Sequence, residues 1–369
     1  MLEQVKQIQK IDIKICEKAM SRWNHIAKPI HSLGLLEDAI VKIAGIRDNE
    51  KDIQLEKAAL VILCADHGVV EEQVTQTDAS VTRIVSENFT TGNTSAAVMA
   101  KAIGVDLYPV DIGISTECVS GLVETEKLTQ NALTNRNIRK GPGNIAIESA
   151  MTIEECIDAI ETGICIVQEL KAAGYQLIAT GEMGIGNTTP SSALATVLTG
   201  ESVACMTGRG AGLSKEGLDR KKLVVQKAVD RYRKKRKGES VIELMAEIGG
   251  IEIAGMMGIF LGGAIYRVPV LMDGFISAVA ALTAVTYMPD TKDYMLASHV
   301  SKEPGGALLL ERLGLHPFLT CEMCLGEGTG AIAAIPILKM ALAVYQEMST
   351  FQDNEIEEYV PYEEQKSVK

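Results

Sequence analysis

Short apolar runs alternate with longer segments of helical periodicity from residue 57 of this chain onward. This alternation is typical of β/α units, in which a helix returns the chain to the same edge of a parallel sheet. We therefore predict the α/β fold class, with a doubly wound parallel sheet that carries helices on both faces. The runs interpreted as strands are Ala58–Cys64, Val105–Val110, Gln176–Thr180, Val268–Met272 and Tyr294–Ala297.

Polar and glycine residues follow each of these five runs. The carboxyl ends of parallel strands share one edge of the sheet, and ligands of open α/β sheets bind outside that edge. We therefore predict a ligand site there. The residues concerned are Asp66-His67-Gly68, Asp111-Ile112-Gly113, Gly181-Glu182, Asp273-Gly274 and Ser298-His299.

The roles of four side chains at these strand ends remain open. Asp66 and His67 form either a metal or catalytic pair or, as we favour, a hydrogen-bonded strand end. Asp273 either binds a ribose or fixes the turn at Gly274. His299 is either a catalytic base or, as we favour, a buried and hydrogen-bonded residue.

Two glutamates lie in glycine-rich turns. Glu182 belongs to the segment Gly181–Pro190, and Glu327 belongs to the segment Leu325–Ala331. Glycine lets the backbone turn sharply and approach a ligand closely, so a carboxylate held there is placed for contact or proton transfer. The alternative for Glu327 is a carboxylate that only caps a helix.

Three glycine-rich loops could bind an anion. Gly184–Pro190 precedes a predicted helix near Ser191, whose N-terminal N–H groups would attract a phosphate. Gly208–Gly212 carries Arg209 and precedes a helix from about Lys215 that contains Lys221, while Gly141–Ile145 is a third loop of this style. None has the spacing of the common ATP or dinucleotide loops, so neither is predicted, and no cofactor is expected.

Charge and composition exclude several other classes. The net charge of −12 leaves no overall basic footprint for nucleic acid. The local basic run Arg231–Lys237 is interpreted as a solvated helix end, with docking of an anionic partner as the alternative. The apolar stretches Ile253–Tyr266 and Phe275–Met288 are too short to span a bilayer, and the N-terminus lacks a signal core. We expect a cytoplasmic protein without a membrane role.

Eight scattered cysteines, mostly in apolar stretches, favour free thiols in a reducing compartment. Cys321 and Cys324 have the spacing of half a zinc site, but no second such pair or nearby histidine pair follows. No metal site is therefore predicted.

Eight segments, between about residue 27 and about residue 350, together resemble the nicotinate-nucleotide–dimethylbenzimidazole phosphoribosyltransferases. Members of this family activate the lower ligand of cobamides. Because the segments match in order and in spacing, the resemblance is highly specific. They are Ser32-Leu33-Gly34, Cys64–Val69, Gly143–Ala146, Gly181–Pro190, Gly249–Gly255, Leu271–Phe275, Ser298-His299 and Leu325–Ala331.

The resemblance implies a Rossmann-like sheet, a small helical domain from the two chain ends, and a dimer. We expect residues 1–45 and 335–369 to form the helical domain and tail, and residues 46–334 to carry the active site. The implied reaction moves 5-phosphoribose from nicotinate mononucleotide to an aromatic base with inversion at the anomeric carbon. The acidic stretch Asp353–Lys369 is predicted to be frayed.

By resemblance, Glu327 is the general base that takes the proton of the incoming acceptor. Glu182 would stabilise positive charge on the ribose or bind a ribose hydroxyl. Lys221 would contact a carboxylate or phosphate, unless it is a surface lysine beside Lys222. The predicted substrate-binding residues are Gly184, Gly186, Asn187, Thr188, Arg209, Gly210, Thr77, Val85, Ser301 and Leu325.

The chain departs from the family pattern where the acceptor is expected. Thr77-Asp78 replaces a serine-proline pair, and Val85 replaces a glutamine that could hydrogen-bond a ring nitrogen. Ile30-His31 and Pro304-Gly305-Gly306 are also unusual. We infer a retained donor with a different acceptor, either a phenol such as p-cresol or a benzimidazole.

Two assemblies remain open from the sequence. Members of the family that use phenols work as pairs of unlike subunits, so the chain would form a homodimer or pair with a paralogous subunit. A non-catalytic supporting subunit is the alternative function. Retention of Glu182, Lys221 and Glu327 favours a catalytic chain.

Overall fold

The computed structural model describes residues 2–116, 127–235 and 240–359, and the backbone of Val123 and Glu124. Within these residues, parallel strands form one seven-stranded sheet. Its strands are β1 (Ala58–Ala65), β2 (Asp106–Gly113), β3 (Val123–Glu124), β4 (Leu133–Asn135), β5 (Leu177–Met183), β6 (Val270–Met272) and β7 (Met295–Ala297). Their order is β3-β4-β2-β1-β5-β6-β7.

The predicted fold class and all five predicted strands are confirmed. Strands β3 and β4 were not predicted, because two or three residues are too few to show an apolar run. Strands β2, β3 and β4 lie on one side of β1, and β5, β6 and β7 lie on its other side. The order of the strands therefore reverses between β1 and β5, which is the place where doubly wound sheets bind ligands.

Helices cover both faces of the sheet. Along β1, side chains alternate between the faces, and all eight residues of the strand are buried. The helices are α1 (Leu2–Val5), α2 (Ile13–His25), α3 (Leu35–Arg47), α4 (Ser80–Thr91), α5 (Ser95–Ile103), α6 (Ile153–Ala172), α7 (Thr188–Thr199), α8 (Val203–Met206), α9 (Lys215–Lys235), α10 (Val241–Ile248), α11 (Ile251–Tyr266), α12 (Phe275–Tyr287), α13 (Gly306–Leu313) and α14 (Thr329–Glu347), with 3-10 turns at Gly68–Glu72 and Pro289–Tyr294.

The helices from the two chain ends pack together, with the rings of Trp23 and Tyr345 5.1 Å apart. Trp23 and Leu338 belong to the same apolar core as Leu60 and Ile62 of β1. The terminal helices therefore share their core with one face of the sheet, and their separation as a small domain stays a prediction. The described part of the tail, Asp353–Tyr359, is exposed.

Among the described helices, α14 is long and apolar enough to cross a membrane. However, 56% of its most apolar window is buried inside the protein, as in the core helix of a globular domain.

Candidate active site

A cavity of about 380 Å³ opens at the carboxyl ends of β5, β6 and β7. This volume suits a small ligand. All the predicted site residues line this one cavity. They are Thr77, Val85, Glu182, Gly184, Gly186, Asn187, Thr188, Arg209, Gly210, Lys221, Ser301, Leu325 and Glu327.

The two glutamate turns pack directly against each other. A Cβ atom at Gly181 would lie 2.8 Å from the backbone oxygen of Glu327. A Cβ atom at Gly326, whose φ is +88°, would clash with Oε1 of Glu182. Both glycines are therefore required by close approach, which brings together carboxylates 145 positions apart in the sequence.

Glu327 is held at the N-terminus of α5. Its Oε2 accepts a hydrogen bond of 3.2 Å from the backbone N–H of Ala96, in the first turn of that helix. Burial raises the pKa of the Glu327 carboxyl, the Ala96 N–H opposes this effect, and nearby Asp273 adds to it. A carboxyl with a raised pKa is the stronger proton acceptor once ionised, as a general base requires.

Glu182 is more deeply enclosed than Glu327. It is 8% exposed, and its carboxylate accepts a hydrogen bond from the side-chain amide of Asn187. Burial raises the pKa of Glu182 well above its ordinary value, and the charge of Asp273 raises it further. A positive charge placed beside this carboxyl would favour its ionised form.

Asp273 fixes the start of α14, next to Glu327. Its Oδ1 accepts hydrogen bonds from the backbone N–H groups of Gly330 at 2.8 Å and Ala331 at 3.0 Å. This contact joins the end of β6 to α14, a role that the sequence analysis did not consider. His299 also lies in the cavity wall. It is buried, and its Nδ1 lies 3.0 Å from the Ser298 hydroxyl, which agrees with the buried and hydrogen-bonded role that we favoured.

Asp66 and His67 lie behind the cavity rather than in its wall. Asp66 accepts hydrogen bonds from the backbone N–H and the hydroxyl of Ser115, and His67 Nε2 lies 2.9 Å from Glu252 Oε1. These are the structural contacts that we favoured. Asp111 likewise bonds the backbone N–H of Ile114, so only three of the five strand ends supply cavity residues. In the described ranges no cluster of three metal-ligating side chains occurs.

The Gly184–Pro190 loop ends in the first turn of α7. This helix begins at Thr188, three residues before the predicted start, with Asn187 at its cap. Asn187 and Thr188 at this end of the helix line the cavity, so the helix N-terminus borders it, as an anion-binding site there would require. The Thr189 N–H bonds the Gly186 carbonyl and Pro190 has no N–H, so neither residue supplies a free backbone donor. Thr82 of α4 supports the loop by accepting a hydrogen bond of 3.0 Å from the Ile185 N–H.

Lys221 lies beside the start of α7, the predicted anion-binding region, and is not a surface residue. It is fully buried on α9, and its Nζ donates a hydrogen bond of 2.6 Å to the Thr188 hydroxyl. Burial lowers the pKa of Lys221 to about 8. A buried ammonium that retains its charge at neutral pH is a strong partner for a phosphate or carboxylate.

The other two glycine-rich loops differ in position. Arg209 and Gly210 line the cavity, and the Arg209 guanidinium donates to the Leu213 carbonyl in its own loop. The Gly141–Ile145 loop does not line this cavity, so it is not part of the same candidate site. Its Pro142 carbonyl accepts from the Gly68 N–H, and Asn144 donates to Glu72. This loop packs against the chain that follows β1.

Apolar side chains form the side of the cavity where the acceptor was expected. Val74, Val81 and Val85 line it, with Ile185 from the neighbouring loop. Asp78 turns away and accepts from the backbone N–H of Ser80. Ile30-His31 does not line the cavity, because His31 turns towards Glu37 and Asp38. The prediction that the departures from the family pattern cluster at the acceptor site is therefore wrong for Ile30-His31.

The structure also places the basic run and the Cys321–Cys324 pair. In the described part of the basic run, Arg231 and Lys235 both bond Glu247, and they tie α9 to α10. Cys321 and Cys324 are exposed, and Cys324 borders the cavity. Cys118 and the end of the basic run lie outside the described residues.

Sequence reasoning missed Glu303 as a cavity residue. It lies in the unusual segment Lys302–Gly306, where only Pro304-Gly305-Gly306 drew notice. Its neighbours in the cavity are Gly210 and Lys221, about ninety residues earlier, so no local spacing could have identified it.

Comparison with known proteins agrees with this geometry. Residues 8–356 match a family model described as phosphoribosyltransferase. Nicotinate-nucleotide–dimethylbenzimidazole phosphoribosyltransferases of Ruminiclostridium cellulolyticum and Acetivibrio thermocellus are 43% and 44% identical, over 98% of this chain and 99% of theirs. A crystal structure of CobT from Thermus thermophilus superposes with a TM-score of 0.86 at 35% identity, covering 94% of this chain and all of that one.

Proposed function

This chain belongs to the nicotinate-nucleotide–dimethylbenzimidazole phosphoribosyltransferase family, and we propose that it transfers 5-phosphoribose from nicotinate mononucleotide to an aromatic base. One observation carries the proposal. A helix N-terminus with a buried lysine, the buried carboxylate of Glu182 and the half-buried carboxylate of Glu327 meet in a single cavity. These groups match the two ends of the donor, an anionic phosphate and a ribose that becomes positively charged.

The donor's phosphate would bind at the start of α7. The N-terminus of α7, the Thr188 hydroxyl and the Lys221 ammonium supply donors and positive charge there. Glu182 lies between this loop and Glu327, and we assign it to the ribose. Its carboxylate would offset the positive charge that develops as the glycosidic bond lengthens.

The acceptor would attack the anomeric carbon from the face opposite to nicotinate. As the new bond forms, the C–N bond to the pyridinium breaks, and the ring nitrogen keeps the electron pair. Nicotinate then leaves with a neutral ring, so its departure needs no acid. The acceptor must lose a proton, and Glu327 is the cavity carboxylate assigned to take it. The product is an α-ribotide.

The acceptor is an aromatic lower-ligand base, for which two chemistries are open. The relatives named above are dimethylbenzimidazole enzymes, and a planar base of that kind suits an apolar wall. Val85 favours the second candidate, a phenol such as p-cresol, because a valine in this wall offers no hydrogen bond to a ring nitrogen. With a phenol, Glu327 would take a hydroxyl proton and the product would be an O-glycoside.

We also propose that the chain works in the cytoplasm as a homodimer or with a paralogous subunit. The charged residues that we assign to catalysis all lie in this chain's own cavity, which favours a catalytic over a supporting subunit. The test is a product assay with nicotinate mononucleotide and each acceptor, read by mass, alongside Glu327→Ala. Full activity of an assembly that contains Glu327→Ala would show that another chain carries the reaction.

A further inference from the structure

Glu303 places a carboxylate of the protein itself in the anion-binding region. It lies between β7 and α13, and its Oε1 accepts a hydrogen bond of 3.1 Å from the backbone N–H of Gly210. It lines the cavity with Lys221 and Thr188. One N–H of the loop that carries Arg209 is therefore occupied by an internal anion.

The 208–212 loop is shaped to admit this carboxylate. A Cβ atom at Gly208 would clash with Oε2 of Glu303, so any larger residue there would displace the Glu303 side chain. A Cβ atom at Gly210 would lie 2.9 Å from the Thr188 hydroxyl and 3.3 Å from Lys221 Nζ. The Glu303 carboxylate, the Lys221 ammonium and the start of α7 thus adjoin the same turn of backbone.

Glu303 and Lys221 influence each other's charge. Burial raises the pKa of the Glu303 carboxyl, and the positive charge of Lys221 lowers it. Burial lowers the pKa of Lys221, and the negative charge of Glu303 partly opposes this effect. Adjacent Lys302 pairs instead with Glu322 at 3.0 Å. The remaining charged or titratable groups in the cavity wall are Arg209, Glu182, Asp273, His299, Cys324 and Glu327.

We propose that Glu303 is an internal competitor for the anionic end of the donor, and that a bound phosphate ester displaces its carboxylate from Gly210. The displaced carboxylate then lies close to a second anion, and it takes up a proton because like charges disfavour its ionised form. Glu303 would thereby set the affinity for the donor without contacting the reacting atoms. This inference rests on the proposed function only for the identity of the donor.

Sulfate is the probe that tests the competition, because it remains a dianion and does not itself titrate near neutral pH. Binding of sulfate to the full-length protein would be measured by calorimetry at about pH 6, well below the Lys221 pKa of about 8, in two buffers of different protonation enthalpy. The wild-type protein should take up protons on binding. Glu303→Gln should bind sulfate on the order of tenfold more tightly, with less proton uptake.

Glu311→Gln is the matched control, since Glu311 is exposed on neighbouring α13 and should behave as wild type. Glu303→Ala, which also removes the carboxylate, should bind sulfate more tightly as well. Equal or weaker sulfate binding by both Glu303 variants would overturn the proposal, and so would undetectable binding by every variant. Because no turnover is measured, the competition could hold even if the proposed reaction failed.

Discussion

The two sides of the cavity are built in different ways. The side that we assign to the donor is formed by the start of α7 and the 208–212 loop, together with Lys221. The side that we assign to the acceptor is formed by the side chains of Val74, Val81 and Val85. Backbone N–H groups bind an anion whatever the neighbouring side chains are, whereas an apolar wall changes with each substitution. The donor side therefore has the more constrained chemistry, and the acceptor side the more variable one.

Glu327→Gln tests where the two sides meet, and it should have the largest effect. Loss of the general base should lower kcat by about 10²–10⁴-fold, with little change in donor affinity. Steady-state rates of nicotinate release would measure it. Glu322→Gln, an exposed glutamate in the same loop, is the control. Near wild-type kcat for Glu327→Gln would remove the assigned base.

Lys221→Met should act on the donor side alone. Removal of a buried charged partner of the phosphate should raise the KM for nicotinate mononucleotide on the order of 10- to 100-fold, because charge-assisted hydrogen bonds are among the stronger ones. The KM for the acceptor should hardly change. Lys227→Met, on the exposed side of the same helix, controls for effects on α9. An equal rise in both KM values would contradict the division of the cavity.

Val85→Gln should act on the acceptor side alone. A side-chain amide in this wall could hydrogen-bond a ring nitrogen, so turnover of dimethylbenzimidazole relative to p-cresol should rise by about tenfold. Competition between the two acceptors in one mixture would measure the ratio. Val98→Gln, an exposed position on α5, is the control. An unchanged ratio would show that Val85 does not contact the acceptor.

The pH profile should show the smallest of these effects. Its acid limb should report Glu327, and its alkaline limb should report Lys221 on the donor side. Activity should fall at low pH as Glu327 becomes protonated, and its raised pKa moves this limb upward from that of an ordinary glutamate. Donor binding should weaken above about pH 8, because Lys221 then loses its charge. Lys221→Arg should move only the alkaline limb to higher pH. A shift of the acid limb in that variant would contradict the assignment.

The two glutamate turns could be identified from the sequence better than their surroundings could. Glu182 and Glu327 could be identified because the close approach of their turns requires glycine at Gly181 and Gly326, which leaves a visible pattern. Glycine also serves packing, as at Gly143, and the Gly141–Ile145 loop resembles the other two loops in sequence without lining the cavity. Contacts made by side chains far apart in the chain leave no such pattern.

Asp273 and Glu303 illustrate what could not be predicted. The bonds of Asp273 to the start of α14 cross 57 positions or more, and the bond of Glu303 to Gly210 crosses 93. Nothing in the local sequence specifies either partner. The sequence also did not show that the departures from the family pattern lie in different places. Val85 lines the cavity, whereas His31 does not.

The decisive measurement is a product assay of the purified chain with nicotinate mononucleotide and, in separate reactions, dimethylbenzimidazole and p-cresol. If the chain has retained the donor chemistry of its family, nicotinate should be released with at least one acceptor. A ribotide of the corresponding mass should appear in the same reaction. Release should stop in Glu327→Gln. Absence of nicotinate release with both acceptors, with and without a paralogous subunit, would contradict the proposed reaction.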